Sequence, residues 1–271
     1  MLGAKLGITS NTSIPFPQEN LFAWYDANVG VATGDGSAVL TTWYDRSGNG
    51  RKMNVNSAPV VSDGLLNGYP GVAFDGTDDF TFTDDGVSII SDYGSELSGS
   101  AQWTCFLVFR GDGTGPRYKS ITGFRDATNG RLGGLQFEGS NVGTTLRLWA
   151  GTTGSVQDSS TAEQGCPVKY SINIGTTLNN AFALITAVAS GSREFDNMML
   201  REGTSVFNGT LDSWYGVASS ATSNLCIGVT SKTQTTYELS GTVAECIYYD
   251  AAVSSGSRVE IQNYLLNKYG L

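Results

Sequence analysis

The chain has 271 residues and a net charge of −9 at neutral pH, and only 15% of its residues are charged. Its 16 lysines and arginines are spread thinly, which argues against binding to nucleic acid or to an anionic membrane, because both need clustered cations. There is no histidine, and this excludes the Ser-His-Asp and Cys-His catalytic systems and histidine-based zinc sites.

The first 20 residues form a polar segment that ends in Ile14-Pro15-Phe16-Pro17. Two prolines impose extended backbone there, and the segment has no apolar core of its own. We predict that residues 1–20 are a docking arm, with Ile14 and Phe16 as anchors, that becomes ordered on binding a neighbouring protein.

The segment lacks the apolar stretch and the cleavage site of a secretory signal peptide. The chain has no run of about 18 apolar residues, so we predict no membrane insertion.

Residues 21–271 are predicted to form one domain built from short strands. Segments of alternating apolar residues recur between glycine-rich turns, which favours β-strands over helices. The clearest of these segments are Gln102–Arg110, Thr145–Gly151, Asn180–Ala189, Asn224–Thr230 and Gly241–Asp250. No linker divides the region, and no repeat with a period of about 20 to 50 residues occurs in it.

One helix is predicted, near the end of the sequence. Ser257 and Glu260 have the spacing of a capping box, in which both side chains bind backbone N–H groups at the start of a helix. Ile261 and Leu265 follow with helical spacing, and Gly270 is typical of the position just after a helix. The apolar stripe is narrow, so we expect the helix to pack on the edge of two antiparallel sheets that face each other in an all-β sandwich.

Four motifs occur in order along the chain: FAWYDA, TTWYDRSGNG, GYPGVAFDGTDDF and the ending GTVAECIYYDAAVSSGSRVEIQNYLLNKYGL. Together they resemble the concanavalin A-like lectin/glucanase superfamily, in particular its laminin-G-like branch in bacterial and phage proteins. The resemblance covers residues 21–271 and implies a jelly-roll β-sandwich. It also implies that Trp24 and Trp43 are inward-facing framework residues, and that the carboxylates of Asp45 and Asp75 cap turns. Lectins, glycanases, adhesins and structural modules share this fold, so the fold does not select among them.

Glycoside hydrolysis needs two carboxylates that flank the scissile bond. Glucanases of the superfamily carry their acids at alternate positions of one strand, and the nearest match here is EFDNMM from residue 194, which lacks the last glutamate. Glu245 is the other candidate acid, but a single buried glutamate in a late strand more often bonds to a backbone or arginine partner than catalyses. The sequence therefore predicts that the chain is not an enzyme.

An acidic stretch lies in and after the third motif, and its members are Asp75, Asp78, Asp79, Asp84 and Asp85. Carboxylate oxygens are ligands for Ca²⁺, which related laminin-G modules often bind, but the stretch lacks the ligand pattern of a calcium loop. The overall acidity of the chain favours a solvated loop. We predict no cofactor and keep Ca²⁺ as an open alternative.

Sugar rings stack on aromatic faces, while arginine, amide and carboxylate groups bind the hydroxyls. Trp149 beside Arg147, and the pair Trp214-Tyr215, lie where turn residues surround an aromatic side chain. These four are the candidate carbohydrate-binding residues. The alternative is that they form a small core beneath long loops.

The four cysteines are Cys105, Cys166, Cys226 and Cys246, which is too few for a disulfide scaffold, and their spacing does not match a metal site. We predict reduced and mostly buried thiols. Only Cys226 and Cys246 are expected to lie near each other.

A lectin-like sandwich with reduced thiols, an N-terminal arm and no export signal fits a bacteriophage virion protein, because such a protein folds in the host cytoplasm and assembles onto a particle. We expect a homo-oligomeric or multicopy head or tail appendage in the virion. Its expected partners are other virion proteins and cell-surface or environmental glycans, bound weakly and through many copies. The alternative is a decoration or cement protein without a ligand, and a glucanase-like hydrolase is the third hypothesis.

Overall fold

The computed structural model describes residues 14–84, 102–111, 119–126, 130–138, 145–150, 168–173, 182–190, 195–202, 205–208, 210–214, 224–229 and 238–271. In chain order the elements are β1 (Leu21–Asp26), β2 (Val31–Thr33), β3 (Leu40–Trp43), β4 (Asn54–Asn56), β5 (Val60–Leu66), β6 (Tyr69–Asp75), β7 (Phe80–Phe82), β8 (Gln102–Gly111), β9 (Ser120–Asp126), β10 (Gly130–Glu138), β11 (Thr145–Ala150), β12 (Val168–Asn173), β13 (Ala183–Ser190), β14 (Phe195–Glu202), β15 (Ser205–Asn208), β16 (Thr210–Trp214), β17 (Asn224–Ile227), β18 (Ser240–Tyr249) and α1 (Ser255–Tyr269). The strand pairs among these residues are antiparallel. The predicted all-β sandwich with one C-terminal helix is confirmed.

Two large sheets make up the sandwich. The first has the strand order β15-β14-β13-β8-β18-β6-β5, and the second has the order β16-β12-β11-β10-β9-β17-β7-β4. A separate small sheet consists of β2 and β3. In the first sheet β8 pairs with one edge of β18, while β6 and β1 share the other edge. The pairing with β1 sets Asp26 opposite Glu245, so two acids that are far apart in sequence meet inside a sheet.

The strand β18 is almost entirely buried because both of its faces are covered. On the inner face, the hydroxyl of Tyr248 lies 2.9 Å from that of Thr122 in the second sheet. On the outer face, Ile247 belongs to an apolar cluster that contains Ile261 and Leu265 of α1 and also residues of β8 and β13. The helix therefore lies over the face of the first sheet, and the expected packing on the sandwich edge is wrong. The narrow apolar stripe is sufficient to hold α1 on the sheet, because polar side chains beside the stripe also form hydrogen bonds with the sheet.

The two Trp-Tyr-Asp motifs are framework, as the resemblance implied. Trp43 is fully buried and Trp24 is 5% exposed. Because side chains alternate along a strand, Trp24 packs in the cluster beneath α1, whereas Tyr25 faces the other way and contacts Trp43, with ring centroids 6.0 Å apart.

The predicted turn caps are confirmed. The carboxylate of Asp45 accepts the backbone N–H of Ser47 at 2.8 Å and that of Trp24 at 3.0 Å. It therefore closes its own turn and also ties that turn to β1. The carboxylate of Asp75 accepts the backbone N–H of Thr77 at 2.8 Å, which is the local pattern that aspartate favours in turns.

The helix α1 begins earlier than predicted. Its N-cap is Ser254, whose hydroxyl accepts the backbone N–H of Ser257 at 3.2 Å. Ser257 is thus inside the first turn, and the predicted capping box with Glu260 is wrong. The helix ends as predicted at Gly270, which has a φ of 68° that favours glycine. Among the described residues, no helix is long and apolar enough to cross a bilayer.

Three cysteines can be located. Cys105, Cys226 and Cys246 are free and buried, and burial raises the pKa of the Cys105 thiol well above its ordinary value; Cys166 lies outside the described residues. Cys226 and Cys246 do not lie on paired strands, because β17 belongs to the second sheet and β18 to the first. Cys105 is on β8, which pairs directly with β18.

Candidate functional site

A cleft of about 790 Å³ opens beside α1. Its volume lies within the range of about 300 to 1,000 Å³ that is typical of small-ligand sites. Its walls combine aromatic rings, side-chain amides, a carboxylate and an ammonium group. The lining residues are Pro15, Asn28, Tyr69, Glu260, Asn263, Tyr264, Asn267 and Lys268. This mixture suits a ligand that has many hydroxyl groups and flat apolar faces.

The helix supplies most of the cleft wall, because residues three, four and seven positions apart lie on one side of a helix. Glu260, Asn263 and Asn267 are exposed there, and Tyr264 and Lys268 are half-buried closer to the sheet. The remaining lining residues come from the segment before β1, the turn after β1 and the first residue of β6. The cleft is therefore assembled from four parts of the sequence.

A buried ion cluster forms the floor of the cleft. The Nζ atom of Lys268 lies 2.8 Å from Oδ2 of Asp26 and 2.7 Å from Oε2 of Glu245. Its third partner is the hydroxyl of Tyr264, at 3.3 Å. An ammonium group has three N–H donors, so all the donors of Lys268 are used inside the protein.

Glu245 is equally well satisfied. Its Oε1 atom accepts hydrogen bonds from the indole N–H of Trp24 at 2.7 Å and from the hydroxyl of Tyr264 at 3.1 Å. Its Oε2 atom accepts from Lys268 and, at 2.8 Å, from the hydroxyl of Tyr269. Glu245 thus bonds to neighbouring groups, but its partners are a lysine and three aromatic side chains and not the predicted backbone or arginine group.

The ion cluster makes the floor rigid and leaves it without excess positive charge. Burial and the negative charge of Asp26 raise the pKa of Glu245, although Lys268 acts in the opposite direction. Burial and the adjacent Glu245 raise the pKa of Tyr264 well above its ordinary value, so its hydroxyl stays protonated and donates. Asp26 also accepts the backbone N–H of Asn28 at 2.9 Å, which fixes the turn that carries this lining residue.

The segment that was predicted to dock on another protein packs, in part, on its own chain. Phe16 is 6% exposed, and its ring centroid lies 5.0 Å from that of Trp24 and 5.2 Å from that of Tyr264. Ile14 packs against the same cluster and Pro15 lines the cleft. The backbone carbonyl of Pro17 accepts the hydroxyl of Tyr249 at 2.7 Å. Docking of residues 1–20 on a partner stays a prediction, and residues 1–13 lie outside the described ones.

The aromatic residues predicted to bind sugar lie in the second sheet, away from this helix. Arg147 and Trp149 are in β11, and Trp214 is the last residue of β16, with β12 between the two strands. Trp149 pairs with Lys169, whereas Trp214 pairs with the residue before it, Val168. The two tryptophans are thus two strands apart and offset by one position. Tyr215 lies outside the described residues, and the role of all four stays a prediction.

The acidic stretch forms a compact group. Carboxylate oxygens of Asp75, Asp78 and Asp79 lie within 4.8 Å of one another. Several of these oxygens already accept backbone N–H groups, as when Asp79 accepts from Ala58 at 2.9 Å. The buried Lys119 lies beside the group and donates to the carbonyl of Gly76 at 2.9 Å.

These contacts suit a loop held by its own hydrogen bonds and an internal lysine better than a calcium site. Asp84 accepts an amide hydrogen bond from Asn54 at 2.7 Å, and Asp85 lies outside the described residues. The prediction of no cofactor, with Ca²⁺ as the alternative, stays a prediction.

Sequence reasoning missed the cleft. The feature of the sequence that could have indicated the cleft is the polar side of the helix, where Glu260, Asn263 and Asn267 recur at helical spacing beside Tyr264. The sequence analysis assigned no role to that side of the helix. Asn28 and Tyr69 could not be associated with it, since only the pairing of β1 and β6 with β18 brings them together.

No protein-family model matches the sequence, and no curated protein matches it either. Among solved structures, the binding domain of Paraclostridial Mosquitocidal Protein 1 has a TM-score of 0.55 and 12% identity, over 93% of this chain and 55% of that chain. The Trypanosoma rangeli sialidase in complex with sialic acid has a TM-score of 0.52 and 14% identity, over 93% of this chain and 34% of that one. Domain 4 of an extracellular arabinanase from Geobacillus stearothermophilus, in complex with arabinotriose, has a TM-score of 0.49 and 14% identity, over 88% of this chain and 96% of that chain.

Likeness at this level of identity shows the fold, a β-sandwich consistent with the concanavalin A-like type. The chain spans about a third of the length of the sialidases that it matches. The prediction that the chain is not an enzyme is overturned, because enzymes are among the proteins that share its fold. The sequence after residue 196 was compared only with the acid pattern of glucanases. The missing glutamate therefore does not exclude other kinds of hydrolase.

Proposed function

We propose that the chain is a carbohydrate-binding protein and that the cleft beside α1 is its binding site. The observation that carries the proposal is the chemistry of the cleft walls, where two tyrosine rings stand among three side-chain amides and a carboxylate. Amides donate and accept hydrogen bonds in pairs, as vicinal sugar hydroxyls do, while ring faces pack against the C–H faces of a sugar. The sugar-bound neighbours of similar fold agree with this proposal but do not carry it.

The predicted affinity is weak for a single site. The cleft is open, and its exposed amides must give up bonds to water before they bind a ligand, so each hydrogen bond contributes only about 0.5–1.5 kcal/mol. Useful attachment would then depend on several copies held on one particle or surface.

The double variant Asn263→Ala/Asn267→Ala tests the site. Both side chains are exposed, so the fold should persist while saccharide binding weakens about tenfold, the loss expected for about 1.4 kcal/mol of hydrogen bonding. Binding is measured by glycan array and then by titration calorimetry. Val259→Ala is the control, because Val259 is exposed on the same helix but outside the cleft. Unchanged binding in the double variant would rule out the cleft as the site.

The same array also examines the residues proposed from sequence. Trp149→Ala and Trp214→Ala should leave binding unchanged if the cleft is the site. Loss of binding in these two variants alone would move the function to the second sheet.

We further propose that the chain belongs to the laminin-G-like branch and is part of a bacteriophage virion, where it is an appendage that contacts other virion proteins and surface glycans. The ordered motifs of the sequence support the branch, and the free, buried cysteines support a virion setting. The protein should then co-purify with particles in many copies after lysis. Stable particle association without binding to any glycan would favour the decoration or cement role instead.

A further inference from the structure

We infer that the cleft beside α1 selects neutral saccharides and discriminates against acidic ones such as sialic or uronic acids. This inference rests on the proposed function and adds the charge class of its ligand. It follows from how the single cation in the cleft wall is bonded.

A site for an acidic sugar needs a free cation or several free donors directed at the carboxylate. Lys268 is the one cation among the lining residues, and its three donors go to Asp26, Glu245 and Tyr264. A ligand carboxylate would have to displace one of these partners, and displacing Asp26 or Glu245 would leave a buried carboxylate without its counter-charge. Lys268 therefore organises the floor and does not bind an anion.

The other charges around the cleft lead to the same conclusion. Glu260 is an exposed carboxylate in the cleft wall and repels a ligand carboxylate. The guanidinium of Arg46 is nearby but stacks on Trp24, with 5.1 Å to the ring centroid, and Arg46 does not line the cleft. The chain as a whole carries a net charge of −9, which lowers the local concentration of anionic ligands.

Neutral sugars meet none of these penalties. Asn28, Asn263 and Asn267 are exposed and bear neutral groups that both donate and accept. The hydroxyl of Tyr264 is used below the cleft, and its ring lines the cleft while it also packs against Phe16.

The test compares neutral oligosaccharides with their uronic acid counterparts of equal length, and lactose with sialyllactose, by titration calorimetry on the full chain. The neutral member of a pair should bind at least tenfold more tightly. Glu260→Gln should narrow that ratio about threefold by improving binding of the acidic member. Asp63→Asn, which removes an exposed charge outside the cleft, should leave the ratio unchanged.

The outcomes separate the inference from the proposed function. Acidic sugars that bind as tightly as neutral ones, with loss in the Asn263→Ala/Asn267→Ala variant, would overturn the charge selection and leave carbohydrate binding standing. If Asp63→Asn reduces the ratio of neutral to acidic affinity as much as Glu260→Gln does, the charge selection is also overturned. Repulsion by the overall negative charge of the chain would then explain the ratio. If no member of any pair binds, carbohydrate binding fails and the selection fails with it.

Discussion

Lys268 lies between two carboxylates in a nearly water-free position, with its side chain 9% exposed and that of Glu245 fully buried. Moving such groups out of water is costly, and the cost is offset only when every donor and acceptor finds a partner. That condition is met here by Asp26 and by the hydroxyls of Tyr264 and Tyr269. The network also joins α1 to β1 and β18, so each member holds the helix on the sheet.

Replacing the lysine should be severe. In Lys268→Met the two carboxylates lose their only ammonium partner among the described residues, and the free energy of unfolding should fall by about 3–5 kcal/mol at neutral pH. Chemical denaturation followed by tryptophan fluorescence measures the change. Lys52→Met, at an exposed lysine, should change the same quantity by less than about 0.5 kcal/mol. A similar small effect in both variants would show that the cluster contributes little to stability.

The loss in Lys268→Met should also depend on pH. Glu245 has a raised pKa in the folded protein, so the stability that its titration contributes is fully present below its usual value of 4.5 and is lost as the pH rises through the folded pKa. Removing Lys268 raises that pKa further, because Lys268 lowers it in the native chain. The stability difference between the native chain and Lys268→Met should therefore widen as the pH rises above 4.5 through the folded pKa of Glu245 in the native chain. A difference that stays constant over this range would contradict the assignment.

At the scale of the element, α1 decides whether the cleft exists, since five of the lining residues belong to it. Its end could be predicted because Gly270 is the first glycine after the residues at helical spacing. Its start could not, because three serines lie close together and the capping-box spacing fits only Ser257, which the structure places inside the first turn. Selection of Ser254 over Ser257 depends on where the chain leaves β18, which is tertiary information.

Substitution of the cap should distinguish the two starts. Ser254→Ala removes the acceptor for the N–H of Ser257 and should lower the free energy of unfolding by about 1 kcal/mol. Ser257→Ala, which would be the damaging change under the sequence-based capping box, should cost clearly less. Thermal or denaturant unfolding of both variants measures this. A larger loss in Ser257→Ala would restore the predicted box.

At the scale of the whole molecule, local patterns were sufficient for the sandwich and insufficient for its site. Alternating apolar residues and turn residues are local, and they predicted the strands, whereas the burial of Trp24 and Trp43 was implied by the family resemblance. The cleft and its floor are non-local: Asp26 and Glu245 are adjacent only through strand pairing. For the same reason Cys226 was paired with the wrong strand, because spacing along the chain does not reveal which sheet a strand joins.

The segment before β1 has two parts with different expected roles, and two truncations separate them. Removing residues 1–13 should preserve the packing of Ile14 and Phe16 against the apolar cluster, because neither residue is lost. Removing residues 1–17 also takes away Phe16, whose ring packs against Trp24 and Tyr264, and should cost about 2 kcal/mol, the value of burying a large apolar side chain. Denaturant unfolding of both forms measures this.

The same two forms test the docking arm. If residues 1–13 bind a neighbouring protein, their removal alone should release the chain from particles while the sandwich and saccharide binding persist. Particle-bound copy number, measured by quantitative mass spectrometry of purified particles, is the readout, with the native chain as reference. Full copy number after removal of residues 1–13, together with release only in the shorter form, would place the docking contacts at Ile14–Pro17. Full copy number in both forms would end the docking proposal, because the segment would then serve only to cover α1 and β1 of its own chain.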